Sequence, residues 1–508
     1  MKNFLNFIYS RKLILILSLL VNIVVFVLFA SFVNIYLYIA LSGICVLLFI
    51  FLGQDSLSTE NYKFTLTLLF FILPIVAYML YTFTKAKKST RKFRSKWRQI
   101  NHENAELFDA NAKIIDDLAK ASPKSVKFCK YLQTTTNMPI AGKSSSEYFS
   151  NGIDYLNEIY KEIKNAKSSI LLELSSIKEG EAWKELFEIL KQKAMEGVKI
   201  TLLYDEKQCL NSFKDKKAFR KLENHGINAI KFNKIKLISS SLIYSRNKKN
   251  LVIVDSEVAF MSTTAFRDEY INVELPNAKS SDGIKITGEA VWSLIVLFVT
   301  DVRLFTNEKI ELETFKNNLT SKAKSKSYIQ SYGVAPFFKD KLIKNNLLNA
   351  IYTAEKSLTI ISPYFAIDGE VRNALKIASK NGIEIKIIIS DKNEKLWQKA
   401  ISIANLDELV KERVKIYQYE SNILCKSAIL IDETIALVGG GVLDLRNMYS
   451  HFDIGSLIIN DSELNSKIKQ TSEILITNSH LVTMKDLTQT NLMLKMYGKA
   501  LKLVWALL

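Results

Sequence analysis

Histidine and cysteine are scarce in this chain. Four of each occur among 508 residues, and their placement excludes several classes of protein. Cys45, Cys129, Cys209 and Cys425 form no C-x-x-C pair and lie far apart, so neither a disulfide framework nor a zinc knuckle is expected. His102, His225, His451 and His480 never stand three or four residues apart, as two ligands on one helical face would. No metal and no cofactor are expected. Proline (6) and glycine (17) are also few, which excludes collagen-like chains. Acids are outnumbered as well, with 51 Asp and Glu against 69 Lys and Arg, a net charge of +18.

What is present is largely apolar. Hydrophobic residues make up 48% and charged residues 24%, and the mean hydropathy is +0.07. A membrane portion joined to a globular one fits this balance better than disorder or a coiled coil. Between Leu13 and Gln54 no residue is charged, about twice the roughly 20 residues that cross a bilayer as helix. Ser31 and Asn34 divide the run, so spans are expected at 13–31 and 34–53. A third apolar run, 64–83, carries Pro74 inside it and Tyr78 and Tyr81 near one end, where aromatic side chains anchor at an interface. No small-residue cleavage site ends the first run, so a removed leader is not expected.

The flanks give an orientation. Lys85, Lys87, Lys88, Arg91, Lys92, Arg94, Lys96 and Arg98 follow the third run without an acid among them, which places them and the long C-terminal part in the cytoplasm. Three spans then put the N-terminus outside, against Lys2, Arg11 and Lys12. Residues 1–98, read as the membrane anchor, hold +10 of the charge and leave +8 for the other 410. The excess therefore sits beside the bilayer, where each basic residue attracts anionic lipid by about 1 kcal/mol. No basic stripe interleaved with aromatics follows, and nucleic acid is not an expected partner.

Beyond a linker at 99–145 the sequence repeats itself. Glu162 to Leu174 answers to Ile351 to Ser362, a helix end running into an apolar strand. Leu190 to Asp205 answers to Leu375 to Ser390, a glycine-capped helix followed by a strand, with Gly197 matching Gly382. Leu251 to Phe260 answers to Ile429 to Val438, short strands around Asp255 and Asp432. The offsets are 188, 185 and 177. Constant order at near-constant spacing implies a duplicated α/β domain, with halves at 146–320 and 328–508 joined through the polar stretch 320–327.

Two such halves behind membrane spans resemble bacterial cardiolipin synthase of the phospholipase D superfamily. Leu73 to Tyr81 is similar to the last membrane segment of those synthases, Ile361-Ser362-Pro363-Tyr364-Phe365 to a strand end of their second half, and Leu443-Asp444-Leu445-Arg446-Asn447 to the stretch after their second motif. The close of the chain, Ala500 to Leu508, is similar to theirs too. The resemblance implies a fold of transmembrane helices followed by two phospholipase D-type α/β sandwich halves. It also implies that each half supplies an H-x-K-x4-D motif. One histidine attacks phosphorus, the other protonates the leaving alkoxide, the lysines hold phosphoryl oxygens, and the aspartates support the site.

Counting back from Asp255, the first motif's histidine and lysine positions hold Lys248 and Asn250; counting back from Asp432, the second's hold Cys425 and Ser427. Both motifs are degenerate. Ser262, Thr263 and Ala265 follow the first; Gly439, Gly440 and Val442 follow the second, with valine where the family has asparagine, and Asp453 stands where it has glutamate. Gly439, Gly440 and Asp453 are the remaining supporting positions. An ammonium at 248 is a poor nucleophile near pH 7, although it suits a phosphate. Cys425 as a thiolate and His451 as a recruited base are the competing rescues. The reading that follows is a non-catalytic paralogue binding anionic phospholipid of the phosphatidylglycerol or cardiolipin class, or pairing with an active synthase. The alternative is an active phosphatidyltransferase working through the substituted residues.

Overall fold

A computed structural model describes residues 11–504 apart from 53–59, 85–87, 109–111, 210–217, 234–244, 263, 272–274, 276–277, 307–309, 317–326, 339, 392–395, 444–447 and 449–450. Thr263, the stretch Asp444 to Asn447, Lys85 and Lys87, the join at 320–326 and the last residues from Trp505 therefore lie outside the described residues. The chain divides into two compact units, one of Met1–Lys92, Lys236–Ser241 and Met496–Leu508, the other of Phe93–Ile235 and Leu242–Lys495.

The first unit contains α1 (Arg11–Leu28), a π-helical turn (Phe29–Val33), α2 (Ile35–Leu52), α3 (Glu60–Ile72) and α4 (Pro74–Thr84). Among the described residues one helix, Ile16–Val33, is long and apolar enough to cross a membrane. Asn34 is extended, with φ −175°, and its side chain accepts the Tyr36 N–H at 2.8 Å, which separates this helix from α2. Pro74 separates α3 from α4, because its ring lacks an N–H and clashes with the preceding turn. The Ile75 N–H is then met by the Asn22 side chain at 3.1 Å, and the Asn22 amide donates to Tyr38 Oη at 3.2 Å. One polar residue in an apolar helix thus satisfies the proline break.

The second unit is α/β. Residues 99–145, expected as a linker, carry the end of a helix (Lys88–Ala105), two more helices (Ala112–Ala121 and Val126–Thr136) and the start of β1. Its elements continue with β1 (Ala141–Phe149), α5 (Gly152–Lys164), β2 (Ser169–Leu174), α6 (Glu181–Met195), β3 (Lys199–Asp205), β4 (Asn228–Phe232), β5 (Asn250–Val254), β6 (Val258–Ser262), β7 (Lys279–Ser280), β8 (Gly283–Gly288) and α7 (Ala290–Phe305). Then come β9 (Ser327–Val334), α8 (Leu342–Thr353), β10 (Ser357–Ile361), α9 (Gly369–Lys380), β11 (Glu384–Ser390), β12 (Lys415–Tyr419), β13 (Ile423–Leu424), β14 (Ala428–Ile431), β15 (Ile435–Gly439), β16 (Asp453–Ile459), α10 (Ser462–Thr477) and β17 (Ser479–Leu481).

Among the described residues fifteen strands form one sheet whose centre is the antiparallel pair β1 and β9. Outward from β1 the order is β8, β6, β5, β2, β3, β4; outward from β9 it is β16, β15, β14, β10, β11, β12, with β17 added at the edge. In both arms an antiparallel group passes into a parallel one: β2 with β3 and β3 with β4 on one side, β10 with β11 and β11 with β12 on the other.

Alternation along the strands builds the core. Leu251 and Ile253 of β5, like Ala428 and Leu430 of β14, enter a buried cluster that also holds α7 and α10. Val252 and Val254 face the opposite way, onto α5 and α6, and Ile429 and Ile431 face α8 and α9. Helices thus cover both faces, which is why the strands read as continuous apolar runs. Gly197 and Gly382 close α6 and α9 with φ of 89° and 90°. In each, the next N–H returns five residues, Val198 to the Lys193 carbonyl and Ile383 to the Ala378 carbonyl, both at 3.1 Å. These are matched Schellman caps, and the positive φ is what requires glycine.

Candidate functional site

The segment before β14 pairs with the first arm: β13 runs parallel to β7, and the Cys425 N–H donates to the Ser280 carbonyl at 2.7 Å. The segment before β5 pairs with the second arm: the Lys248 N–H donates to the Phe452 carbonyl at 2.8 Å, and the Phe452 N–H to the Arg246 carbonyl at 3.0 Å. Each motif segment is therefore held by the residues that precede β8 or β16 in the opposite arm.

Of the four positions expected to carry histidine or lysine, two are accessible. Lys248 is exposed and Cys425 is half-buried. Asn250 is buried, its side-chain oxygen accepting from the Ser175 N–H (3.1 Å) and hydroxyl (2.9 Å). Ser427 is buried as well, and its carbonyl accepts the Gly439 N–H at 3.0 Å. Gly439 and Gly440 have φ of 70° and 53°. A Cβ at Gly439 would stand 2.7 Å from the Ile454 carbonyl oxygen, so the chain passes there only as glycine. The space among Ser427, these glycines, Tyr332 and Asn346 is about 10 Å³, room for about one water and too small for a phosphodiester.

A lysine follows each histidine position directly, and adjacent residues on an extended chain point to opposite sides. Lys249 is buried and forms an ion pair with Asp301 of α7, with Glu173 at 3.9 Å. Asn247 donates to Glu173 at 2.8 Å. Burial pushes the Glu173 carboxyl well above the usual carboxylate range, and neighbouring Asp301 adds to this against the pull of the Lys249 ammonium. Burial lowers the Lys249 pKa, but Asp301 and Glu173 outweigh it and hold the ammonium charged. The arrangement is a buried ammonium paired with Asp301, with the Glu173 carboxyl beside it.

Lys426 is its counterpart in the second arm. Its ammonium donates to the carbonyls of Ser150 and Ser281, the latter at 2.6 Å, both across the seam. Burial pushes its pKa down to about 8, against the opposing charge of Asp282. Asp282 in turn accepts from Tyr148 Oη at 3.0 Å. A charge relation crosses the seam twice, since Asp453 acts on Lys249 as Asp282 acts on Lys426. Asp453 is itself buried and caps the Ile454 N–H at 2.8 Å.

Asp255 and Asp432 lie elsewhere. They open the turns at the far ends of β5 and β14, about 17 Å of strand from positions 250 and 427. Asp255 accepts from the N–H groups of Lys167 (2.7 Å), Ser168 (2.7 Å) and Ser169 (2.9 Å). Asp432 accepts from those of Glu355 (2.9 Å), Lys356 (2.7 Å) and Ser357 (2.8 Å), and from Lys124 Nζ. They do not face one another across the seam; each fastens a loop to a hairpin. His451, expected as a recruited base, is buried, and its Nδ1 accepts the Arg246 N–H at 3.2 Å. That bond consumes the nitrogen a base would need.

Sequence reasoning missed Lys249, Lys426, Glu173, Asp301 and Asp282. A signal existed for the lysines: the same residue type stands at the middle position of both motifs.

The family model described as "Cardiolipin synthase, PLD-like domain" matches residues 347–475. The cardiolipin synthase of Halalkalibacterium halodurans is 26% identical over 76% of this chain and 77% of its own. That of Alkalihalophilus pseudofirmus is 25% identical over 84% of this chain and 86% of its own. The chain is thus similar to cardiolipin synthases over most of its length, and residues 347–475 match their PLD-like domain. The crystal structure of the phosphatidylserine synthase of Haemophilus influenzae Rd KW20 aligns with a TM-score of 0.57 at 14% identity, covering 76% of this chain and 98% of that one. This last likeness speaks for the fold alone, a mixed α/β architecture.

Proposed function

We propose that this cardiolipin synthase-like protein is a catalytically impaired paralogue that acts in phospholipid metabolism by binding an anionic phospholipid head group. The observation that carries the reading is the set at positions 248, 250, 425 and 427: Lys, Asn, Cys and Ser, where the family chemistry needs two histidines and two lysines. Lys249 and Lys426 do not replace the missing cations, because their ammoniums are committed to buried partners. Lys248, exposed at the first histidine position, is the cation available to a phosphate.

The matched strand orders of the two arms support reading residues 146–320 and 328–508 as duplicated halves. The apolar helix Ile16–Val33 and the apolar runs after it support a multi-pass anchor over residues 1–98, with spans at 13–31, 34–53 and 64–83. The basic run after the third supports a location of the halves at the cytoplasmic face of the cell membrane. Either phosphatidylglycerol or cardiolipin meets the charge requirement, and an active synthase is the protein partner of this reading.

Lipid mass spectrometry of a cardiolipin-free host tests it. The chain alone should yield no cardiolipin, and beside an active synthase it should change the yield in a way that Lys248→Glu removes. Cardiolipin from the chain alone, abolished by Cys425→Ala, would establish the catalytic alternative instead.

A further inference from the structure

One surface is left unexplained by the site. The helix α11 (Leu492–Val504), LMLKMYGKALKLV, contains three lysines and no acid. Leu492, Met493, Met496 and Tyr497 are exposed by 70, 76, 60 and 43%. At 100° per residue these four fall within one arc of about 140°, and Ala500 lies inside it. Leu501, about 40° past Tyr497 on the other edge of the arc, is buried. Lys495 and Lys499, four residues apart, flank the exposed arc on one edge. An ordinary surface helix turns its polar side outward; this one turns its apolar side outward with lysines along the rim.

We infer that α11 lies in the plane of an anionic bilayer, its Leu492, Met493, Met496 and Tyr497 face among the acyl chains and Lys495 and Lys499 at the phosphates. Thirteen residues of helix span about 20 Å, too short for the roughly 30 Å hydrocarbon layer, so the helix rests in the interface rather than crossing it. Two observations select lipid as the occupant. The charge of the rim is complementary to anionic head groups and of one sign throughout. From Met496 onward the helix belongs to the same compact unit as residues 1–92, which contains the apolar helix Ile16–Val33. The inference rests on the membrane placement proposed above but not on the fate of the degenerate site. It assigns the chain a second membrane contact, made by its end rather than its beginning.

Nitroxide labelling of the full chain in vesicles tests this. Cys45 and Cys425, both half-buried, are replaced by serine; Cys129 and Cys209 are buried, their thiols pushed up to about 12, and stay unlabelled. Labels are placed one at a time through Met493→Cys, Met496→Cys and Lys499→Cys, with Val24→Cys in the apolar N-terminal helix as control. Collision with oxygen relative to a water-soluble nickel chelate should be about fivefold higher at 493 and 496 than at 499 in phosphatidylglycerol-containing vesicles. Adding Lys495→Glu should lower the value at 493 severalfold in those vesicles and leave it unchanged in pure phosphatidylcholine. Equal ratios at 493, 496 and 499 would put the helix in water, and labels that neither reagent reaches would put it under protein; either overturns the inference. A water-exposed label at 24 would overturn the membrane placement itself.

Discussion

Asp255 and Asp432 occupy the same left-handed turn, with φ of 51° and 47°, and each carboxylate gathers three successive backbone N–H groups from a loop that enters a neighbouring strand. An aspartate suits the turn because its short side chain tolerates positive φ and reaches back to the chain. Burial raises both carboxyl pKa values, but the donors outweigh it and hold them below the usual carboxylate range. Replacing either by asparagine should cost about 2 kcal/mol, since an amide nitrogen then faces an N–H. A folded pKa below the unfolded one gives stability that is present above the unfolded value, near 3.9, and is lost as pH falls through the folded value. Denaturation midpoints in detergent at pH 7 and pH 3 check this: both variants should lose more at pH 7, and equal losses would mean the carboxylates are not engaged.

Lys426 should give a pH dependence of the same sense in an alkaline window. Its folded pKa, about 8, lies below the ordinary lysine value near 10.4, so between these limits the unfolded chain binds more protons and stability rises with pH. The difference between wild type and Lys426→Met should grow by about 2 kcal/mol in favour of wild type from pH 7.5 to 9.5. A difference that stays flat across this range would show that the ammonium is not desolvated.

The two acids around Lys249 should respond unequally. Asp301→Asn leaves a buried ammonium without its carboxylate and should cost about 3–5 kcal/mol. Glu173 stands farther from the ammonium, at 3.9 Å, so Glu173→Gln should cost less, under about 1.5 kcal/mol. Thermal unfolding of the two variants at pH 7 separates these outcomes; equal losses would mean that Glu173 holds the ammonium as strongly as Asp301 does.

Glycines that look alike in the sequence should also differ. Gly382→Ala meets nothing within 4 Å and pays only for its φ of 90°, about 1 kcal/mol. Gly439→Ala puts a methyl 2.7 Å from the Ile454 carbonyl and 2.9 Å from Met261 Cε, and should cost at least about 3 kcal/mol. Chemical denaturation of the pair gives the ranking, and similar losses would mean that the strand around Ile454 yields.

Periodicity alone carried the sequence reading a long way. The glycine-capped helices before β3 and β11, the paired strands around Asp255 and Asp432 and the order of these elements were legible because each is fixed by residues within about ten positions of one another. The break at Pro74 was visible for the same reason, whereas the Asn22 side chain that meets it, 53 residues away, was not. His451 stood as a candidate base by its type alone, whereas it is buried and bonded to the N–H of Arg246, 205 residues distant.

The sequence by itself determined which residues stand at 248, 250, 425 and 427, since a residue's identity needs no fold, and it determined the strands that follow them, since hydrophobic alternation is local. Only the tertiary structure decided what the lysines at 249 and 426 do. Their function depends on which side of an extended chain each faces and on which opposite-arm groups meet it there, and long-range packing sets both. The partners of Lys426, Ser150 and Ser281, precede it by 276 and 145 residues. No local pattern spans that distance.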